Sequence, residues 1–296
     1  MDSSLRQALV AEDGPLSGDI VESVRSVSGG CIHQAWCLTL RSGRTLFAKS
    51  GTSQAMDLFE VEADALCALH GHAPPDVLVV PRPLACSALA GHAVLLLPWL
   101  ALGGSDQTAL GRGLALLHQQ SSQGAEHRFG WHRNGYIGAG PQPGGWQERW
   151  GDAFTELRLR PQLTLGGSWG LSVDACERLL AAIAEHLNGL SITPSLVHGD
   201  LWGGNAGCLP DGRGVIYDPA AWWADREVDL AMTHLFGGFS NDFYRGYESI
   251  LPARSGAEGR IEIYNLYHLL NHANLFGGGY INQSKSCLQA LVRRLM

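Results

Sequence analysis

The sequence predicts an α+β chain in two lobes, a small β-rich lobe over residues 1–98 and a larger helical lobe over residues 99–296. Three observations predict it. Residues 19–27, 32–40 and 45–49 have extended character, and glycine-bearing turns at 28–31 and 41–44 separate them. From residue 106 onward, apolar side chains recur mostly at helical spacing. Between the two patterns, Pro98 to Ser105 carries Gly103-Gly104 and interrupts both.

In chain order, a short helix is expected over residues 4–11, followed by the three strands. Residues 54–69 predict a helix, because Phe59, Ala63, Leu66 and Leu69 fall on one face. Residues 77–80 and 93–97 read as further strands of the first lobe, joined through 82–91. Helices follow over 106–119, with Leu110, Leu114 and Leu117 on one face, and over 146–159. Another spans 172–187 and starts on Ser172 as N-cap. The last two span 226–236 and 261–276. One hairpin interrupts this series over 206–218, turning at Asp211-Gly212.

Composition excludes several classes. A net charge of −7 disfavours a nucleic-acid binder with a broad basic face. The longest apolar run, 93–102, contains Pro98 and is too short to span a bilayer, so no membrane partner is expected. The N-terminal residues lack a signal-peptide pattern, and a cytoplasmic protein is expected. Seven Cys without a C-x-x-C argue against a disulfide framework or a zinc knuckle. Of 21 Lys and Arg, only Lys49 and Lys285 are Lys. Neither follows a glycine, which excludes a Walker A loop, and no G-x-G-x-x-G or H-E-x-x-H occurs.

The strongest local signal is His198-Gly199-Asp200-Leu201-Trp202-Gly203-Gly204-Asn205, followed by Ile216-Tyr217-Asp218. Asp200 and Asn205 have the D-x-x-x-x-N spacing of the catalytic loop in protein-kinase-like enzymes. Phosphoryl transfer needs a carboxylate to orient and deprotonate the attacking hydroxyl, and oxygen ligands for Mg²⁺ on the ATP phosphates. Asp200 suits the first task; Asn205 and Asp218, joined by a hairpin, suit the second. Asp and Asn near Gly are ordinarily turn residues. Here they form one part of four in the expected order. Gly29 and Gly30 supply a turn whose backbone N–H groups approach phosphate closely. Lys49, on a strand, supplies an ammonium for the phosphates. The 54–69 helix supplies a carboxylate to hold Lys49, with Glu62 preferred and Glu60 the alternative. Leu97 and Trp99, at the lobe boundary, are assigned to the cofactor with them. Cys31, beside the glycine turn, is a candidate redox gate or a small buried filler.

At these residues the chain resembles the fructosamine kinase (ketosamine kinase) family of the protein-kinase-like fold, which is related to aminoglycoside phosphotransferases. His198–Asn205 is close to the family's H-G-D-L-W-S-G-N, with Gly203 in place of its Ser. Tyr217-Asp218-Pro219-Ala220 matches its Y-D-P-A. Residues 29–32, 59–63, 146–147, 227–232, 236–239 and 264–271 are similar as well, so the resemblance covers nearly the whole chain. It implies ATP-dependent phosphorylation of a ketosamine at O3 of its fructosyl or ribulosyl moiety, releasing the amine in deglycation repair. Asp218 is followed by Pro-Ala rather than Phe-Gly, and no A-P-E follows, so activation-loop machinery is missing.

Trp202, Trp222 and Trp223 are candidates for an aromatic wall against the sugar, with core packing the alternative. Among Asp225, Glu227 and Asp229, Asp229 is the preferred substrate or loop-orienting carboxylate; a salt-bridge cluster around Arg226 is equally open. Within kinases the rival is an aminoglycoside or other small-alcohol phosphotransferase. Outside them, Gly166-Gly167-Ser168-Trp169-Gly170 satisfies the G-x-S-x-G of serine hydrolases, but Pro161 spoils the strand that must precede it. A nucleotide-binding scaffold without activity is the third reading.

Overall fold

The computed structural model describes residues 1–27 and 33–296, so the Gly29, Gly30 and Cys31 expectations lie outside the described residues. The first lobe is built on an antiparallel sheet of β1 (Val21–Val27), β2 (Gln34–Leu40), β3 (Thr45–Thr52), β5 (Ala85–Leu89) and β6 (His92–Pro98), in the order β1-β2-β3-β6-β5. Both faces of this sheet are covered. Helix α1 (Ser3–Val10), capped by the Asp2 carboxylate, lays Leu5 and Leu9 against Leu38, Leu46, Ala48, Val94 and Leu96. The alternate side chains Leu95 and Leu97 join the core with Phe59, Leu66 and Leu69 of α2 (Met56–His72). Burial on two faces explains why residues 93–97 are apolar without alternation.

Strand β4 (Leu78–Val79) corrects an expectation. It does not join the first-lobe sheet; it pairs in parallel with β13 (Gly214–Ile216), with Leu78 opposite Gly214. A short apolar run carries no information about its partner. Strand β5, within the segment read as a connection, completes the first-lobe sheet instead.

In the second lobe, α3 (Gln107–Gln123) precedes four three-residue strands: β7 (Phe129–Trp131), β8 (Gly135–Ile137), β9 (Gly140–Gln142) and β10 (Gly145–Gln147). The helix expected over 146–159 therefore starts late. Trp146 lies in β10 opposite Gly130, under the Arg128 guanidinium, and α4 (Trp150–Phe154) begins four residues on. A π turn at Thr155–Leu159 leads into α5 (Arg160–Leu165), where Pro161 sits in the first turn and breaks nothing. Ser168 lies on a 3₁₀ turn after this helix, its Oγ donating to the Leu165 carbonyl. No strand precedes it, so a nucleophile elbow is ruled out.

Helix α6 (Val173–Asn188) is capped by Ser172 as expected. Strands β11 (Ser195–Val197), β12 (Ala206–Cys208), β13 and β14 (Trp222–Ala224) surround the central loop. Helices α7 (Glu227–Phe236), α8 (Asn241–Glu248), α9 (Ala257–Phe276) and α10 (Gly279–Leu295) complete the lobe. Among the described residues, no helix is long and apolar enough to cross a membrane.

Candidate active site

The loop between β11 and β12 carries the predicted constellation. Strand β11 pairs with β14, Val197 opposite Trp222, and the Ala220 N–H donates to the His198 carbonyl at 2.9 Å. This closes 198–220 into a compact unit. Gly199 has φ +82°, and a Cβ there would lie 2.1 Å from the Ala220 carbonyl oxygen, so only glycine fits. The β12–β13 hairpin turns at Asp211-Gly212 as expected. It sets Ala206 opposite Ile216 and brings the Tyr217 N–H to the Asn205 carbonyl at 3.0 Å. Asn205 and Asp218 thereby meet. The Asn205 amide donates to the Asp200 carbonyl (2.9 Å), the Asp200 carboxylate (3.2 Å) and the Asp218 carbonyl (3.3 Å).

Asp218 has φ +60°, in the left-handed region that Asp tolerates better than bulkier residues. Held there, its Oδ1 accepts from Lys49 Nζ at 2.7 Å. Lys49 is in β3, on the face opposite Ala48, and reaches both carboxylate oxygens of Glu62 at 2.8 Å. Glu62 is buried on α2; Glu60 points the other way and lies 3.9 Å from Arg133. Burial alone would push the Lys49 ammonium down, but Glu62 and Asp218 outweigh it and hold it well above its ordinary value. Lys49 therefore stays charged and joins the two lobes.

Enclosure by the protein pushes the Asp200 carboxyl up to about 7; Asp218 adds to the shift and the Asn205 hydrogen bond opposes it. A carboxylate so tuned is poised as a general base near neutrality. Every hydrogen bond of the Asn205 side chain to a described residue is made through its nitrogen, which leaves Oδ1 uncommitted. Asp218 Oδ2 accepts from no described residue either. One amide oxygen and one carboxylate oxygen, completed by phosphate and water, suit Mg²⁺.

Leu97 is buried in β6 on the same face as Leu95, which stands opposite Lys49. Trp99 follows the strand; its N–H donates to the Thr45 carbonyl, and the Arg25 guanidinium lies 5.5 Å from its ring. Trp202 is 38% exposed, and its indole lies over Gly204, where a Cβ would fall 2.2 Å from the ring. Trp222 does not join Trp202. It is fully buried, stacked 3.8 Å from the Arg158 guanidinium and packed on Trp150. Its place in β14, opposite Val197, turns it into the core, so the sugar-wall expectation for Trp222 is corrected to packing. Trp223 stands edge-on to His72.

For Asp229 the structure takes the loop-orienting alternative over the substrate carboxylate. It is fully buried on α7 and accepts from the backbone N–H of His198 (2.7 Å) and Gly199 (2.8 Å) and from His118 Nε2 (3.1 Å). Burial opposes its charge, but these hydrogen bonds and the nearby histidines hold its carboxyl below the usual range. His198 Nε2 donates to the Tyr217 carbonyl at 2.9 Å, and Nδ1 accepts from the Asp200 N–H. Burial pushes its pKa down, which keeps this neutral tautomer. Asp225 and Glu227 form the structural cluster, with Arg254 and Arg260 rather than Arg226 as partners. Sequence reading missed His118 and Tyr247, whose hydroxyl bonds His118 Nδ1 at 2.8 Å. A His four residues after Leu114 on the apolar face of α3 was the available signal.

A bilobal α+β fold with a Lys–Glu pair, an Asp–Asn loop and a following Asp defines a protein-kinase-like phosphotransferase. Within that class, the chain matches the fructosamine kinase family over residues 7–294 and belongs to it. A protein of Synechocystis named as a probable ketoamine kinase is 43% identical over 92% of this chain and 91% of its own length. A chloroplastic protein-ribulosamine 3-kinase of Oryza sativa subsp. indica is 34% identical over 93% and 80% respectively. The crystal structure of a protein assigned as a fructosamine-3-kinase from Haemophilus somnus superposes with a TM-score of 0.84 at 27% identity. That match covers 97% of this chain and 96% of the other.

Proposed function

We propose that this chain is an ATP-dependent kinase that phosphorylates O3 of the sugar moiety of ketosamines, such as fructosyl- or ribulosyl-lysine, in deglycation repair. The observation that carries the reading is the Lys49 ammonium bridging Glu62 and Asp218 beside Asp200, in a chain of the fructosamine kinase family. Mg²⁺-ATP supplies the phosphoryl group and the cation that offsets its charge. Asn205 and Asp218 would hold the metal through the uncommitted oxygens. Lys49, kept in place by Glu62, pairs with phosphate oxygens. Gly29 and Gly30 are assigned to the phosphates, and Leu97 and Trp99 to the nucleotide base. Asp200 orients the sugar hydroxyl and accepts its proton as the hydroxyl attacks. Asp229 and His118 hold the loop so that this carboxylate does not wander. Trp202, partly exposed next to Asp200, packs on the sugar.

The division at residues 98–99 fits this assignment, with Gly29, Gly30, Lys49, Glu62 and Leu97 before it, Trp99 at it, and the catalytic carboxylate and metal ligands after it. Six described cysteines are unpaired, which suits a reducing, cytoplasmic setting. The test is ADP release with Mg²⁺-ATP, comparing ribulosyl- and fructosyl-lysine with kanamycin. Turnover with a ketosamine, and a product carrying phosphate on O3, supports the reading. Turnover with kanamycin alone would move the chain to an aminoglycoside substrate.

A further inference from the structure

Helix α2 makes a second set of contacts, on the side away from Lys49. Asp57 Oδ1 accepts from Arg133 Nη2 at 2.8 Å, and Asp57 Oδ2 accepts from the Tyr136 hydroxyl at 2.8 Å. Asp64 faces His132 Nε2 at 2.9 Å, and Glu60 lies 3.9 Å from Arg133. Val61 packs on Gly135 so closely that a Cβ there would stand 3.1 Å from Val61 Cγ1. Residues 57, 60, 61 and 64 form one stripe of the helix, since three- and four-residue steps return to the same face. At about 100° per residue, Glu62 projects from the far side of that stripe. The partners all lie at 132–136, in the turn after β7 and the first residues of β8 in the second lobe. Helix α2 is thus clasped between Lys49 and a turn of the opposite lobe.

The segment after Asp218 gives this clasp its meaning. Only residues 219–221 separate Asp218 from β14, so no long loop is available to push α2 into place. We propose that the 132–136 turn is a fixed latch for α2, and that Arg133 and Tyr136 are positioning residues that keep Glu62 on Lys49 without any activating modification. The proposal rests on the kinase reading, because Lys49 matters as a phosphate ligand.

The test is a double-mutant cycle read by calorimetric binding of Mg²⁺ with a non-hydrolysable ATP analogue, which needs no ketosamine. Arg133→Met with Tyr136→Phe removes the latch, and Glu62→Gln removes the pair. Several exposed contacts of this kind give about a three- to fivefold weaker nucleotide affinity when lost together. Glu62→Gln costs about tenfold in the intact chain, and less than about threefold once the latch is gone. The exchange Asp57→Arg with Arg133→Asp restores affinity relative to Arg133→Asp alone. Tyr136→Phe, which alters no charge, gives a smaller loss in the same direction and covers the case in which the double variant fails to fold. A lower melting temperature with unchanged nucleotide affinity, or equal cost of Glu62→Gln in both backgrounds, overturns the latch. A parent chain that binds no nucleotide overturns the kinase reading itself.

Discussion

Asp229→Asn is the sharpest perturbation of the site that touches none of the reacting groups. The carboxylate accepts two hydrogen bonds at Oδ2, from the His198 N–H and His118, and one at Oδ1, from the Gly199 N–H. An Asn of the same shape can keep its oxygen at only one position. The cheaper choice keeps the two bonds at Oδ2 and turns the NH₂ group against Gly199. One buried backbone donor is then unpaired, at a cost of about 1–3 kcal/mol. The two surviving bonds lose their charge, at roughly 1 kcal/mol each. The sum is about 4 kcal/mol, or a fall in Tm of roughly 10 °C for a chain of this size. Gly199 immediately precedes Asp200, so kcat falls with the loop's order, by more than about tenfold. Melting followed by circular dichroism and turnover at saturating ATP read both effects. A loss below about 1 kcal/mol with kcat within about twofold of the parent would refute the reasoning.

Lys49→Met leaves Glu62 buried without its partner, where burial drives the carboxyl toward its protonated form, and costs about 3–5 kcal/mol. Adding Glu62→Met restores most of that stability in thermal melts but none of the ADP release. Trp222→Ala opens a core cavity and costs about 3–5 kcal/mol, whereas Trp202→Ala costs under about 1 kcal/mol and acts on the KM for the sugar substrate. Because the folded-state pKa of Asp229 is depressed, its contribution is present above its unfolded value near 3.9 and is lost as pH falls through the folded value. The stability gap between the parent and Asp229→Asn therefore shrinks as pH falls below about 4, measured by urea melts.

The lobes were legible because their signals are local. Helical spacing over 54–69 and 172–187 appears as α2 and α6, and Asp211-Gly212 turns the hairpin that joins Asn205 to Asp218. Placing Glu62 toward Lys49 needed only the face of a helix next to a strand. What escaped depends on distant partners. Strand β4 reads as any short apolar run, and its partner β13 lies over a hundred residues later. Trp222 and Trp202 have the same side chain in the same motif region. Burial separates them, through the pairing of β14 with β11. For Asp229 the sequence left loop and ligand both open, because a carboxylate's preference for backbone N–H groups over a ligand is set by the depth of α7. His118 carried a helical-face signal that was weak against the leucines around it.

The most direct test of the account compares the parent chain with Asp200→Asn on ribulosyl-lysine and Mg²⁺-ATP, measuring ADP release alongside nucleotide affinity. The account predicts that kcat falls by about 10²–10⁴, the usual contribution of a general base, while nucleotide affinity stays within about threefold. An Asp200→Asn variant that phosphorylates the ketosamine at near the parent rate would contradict it.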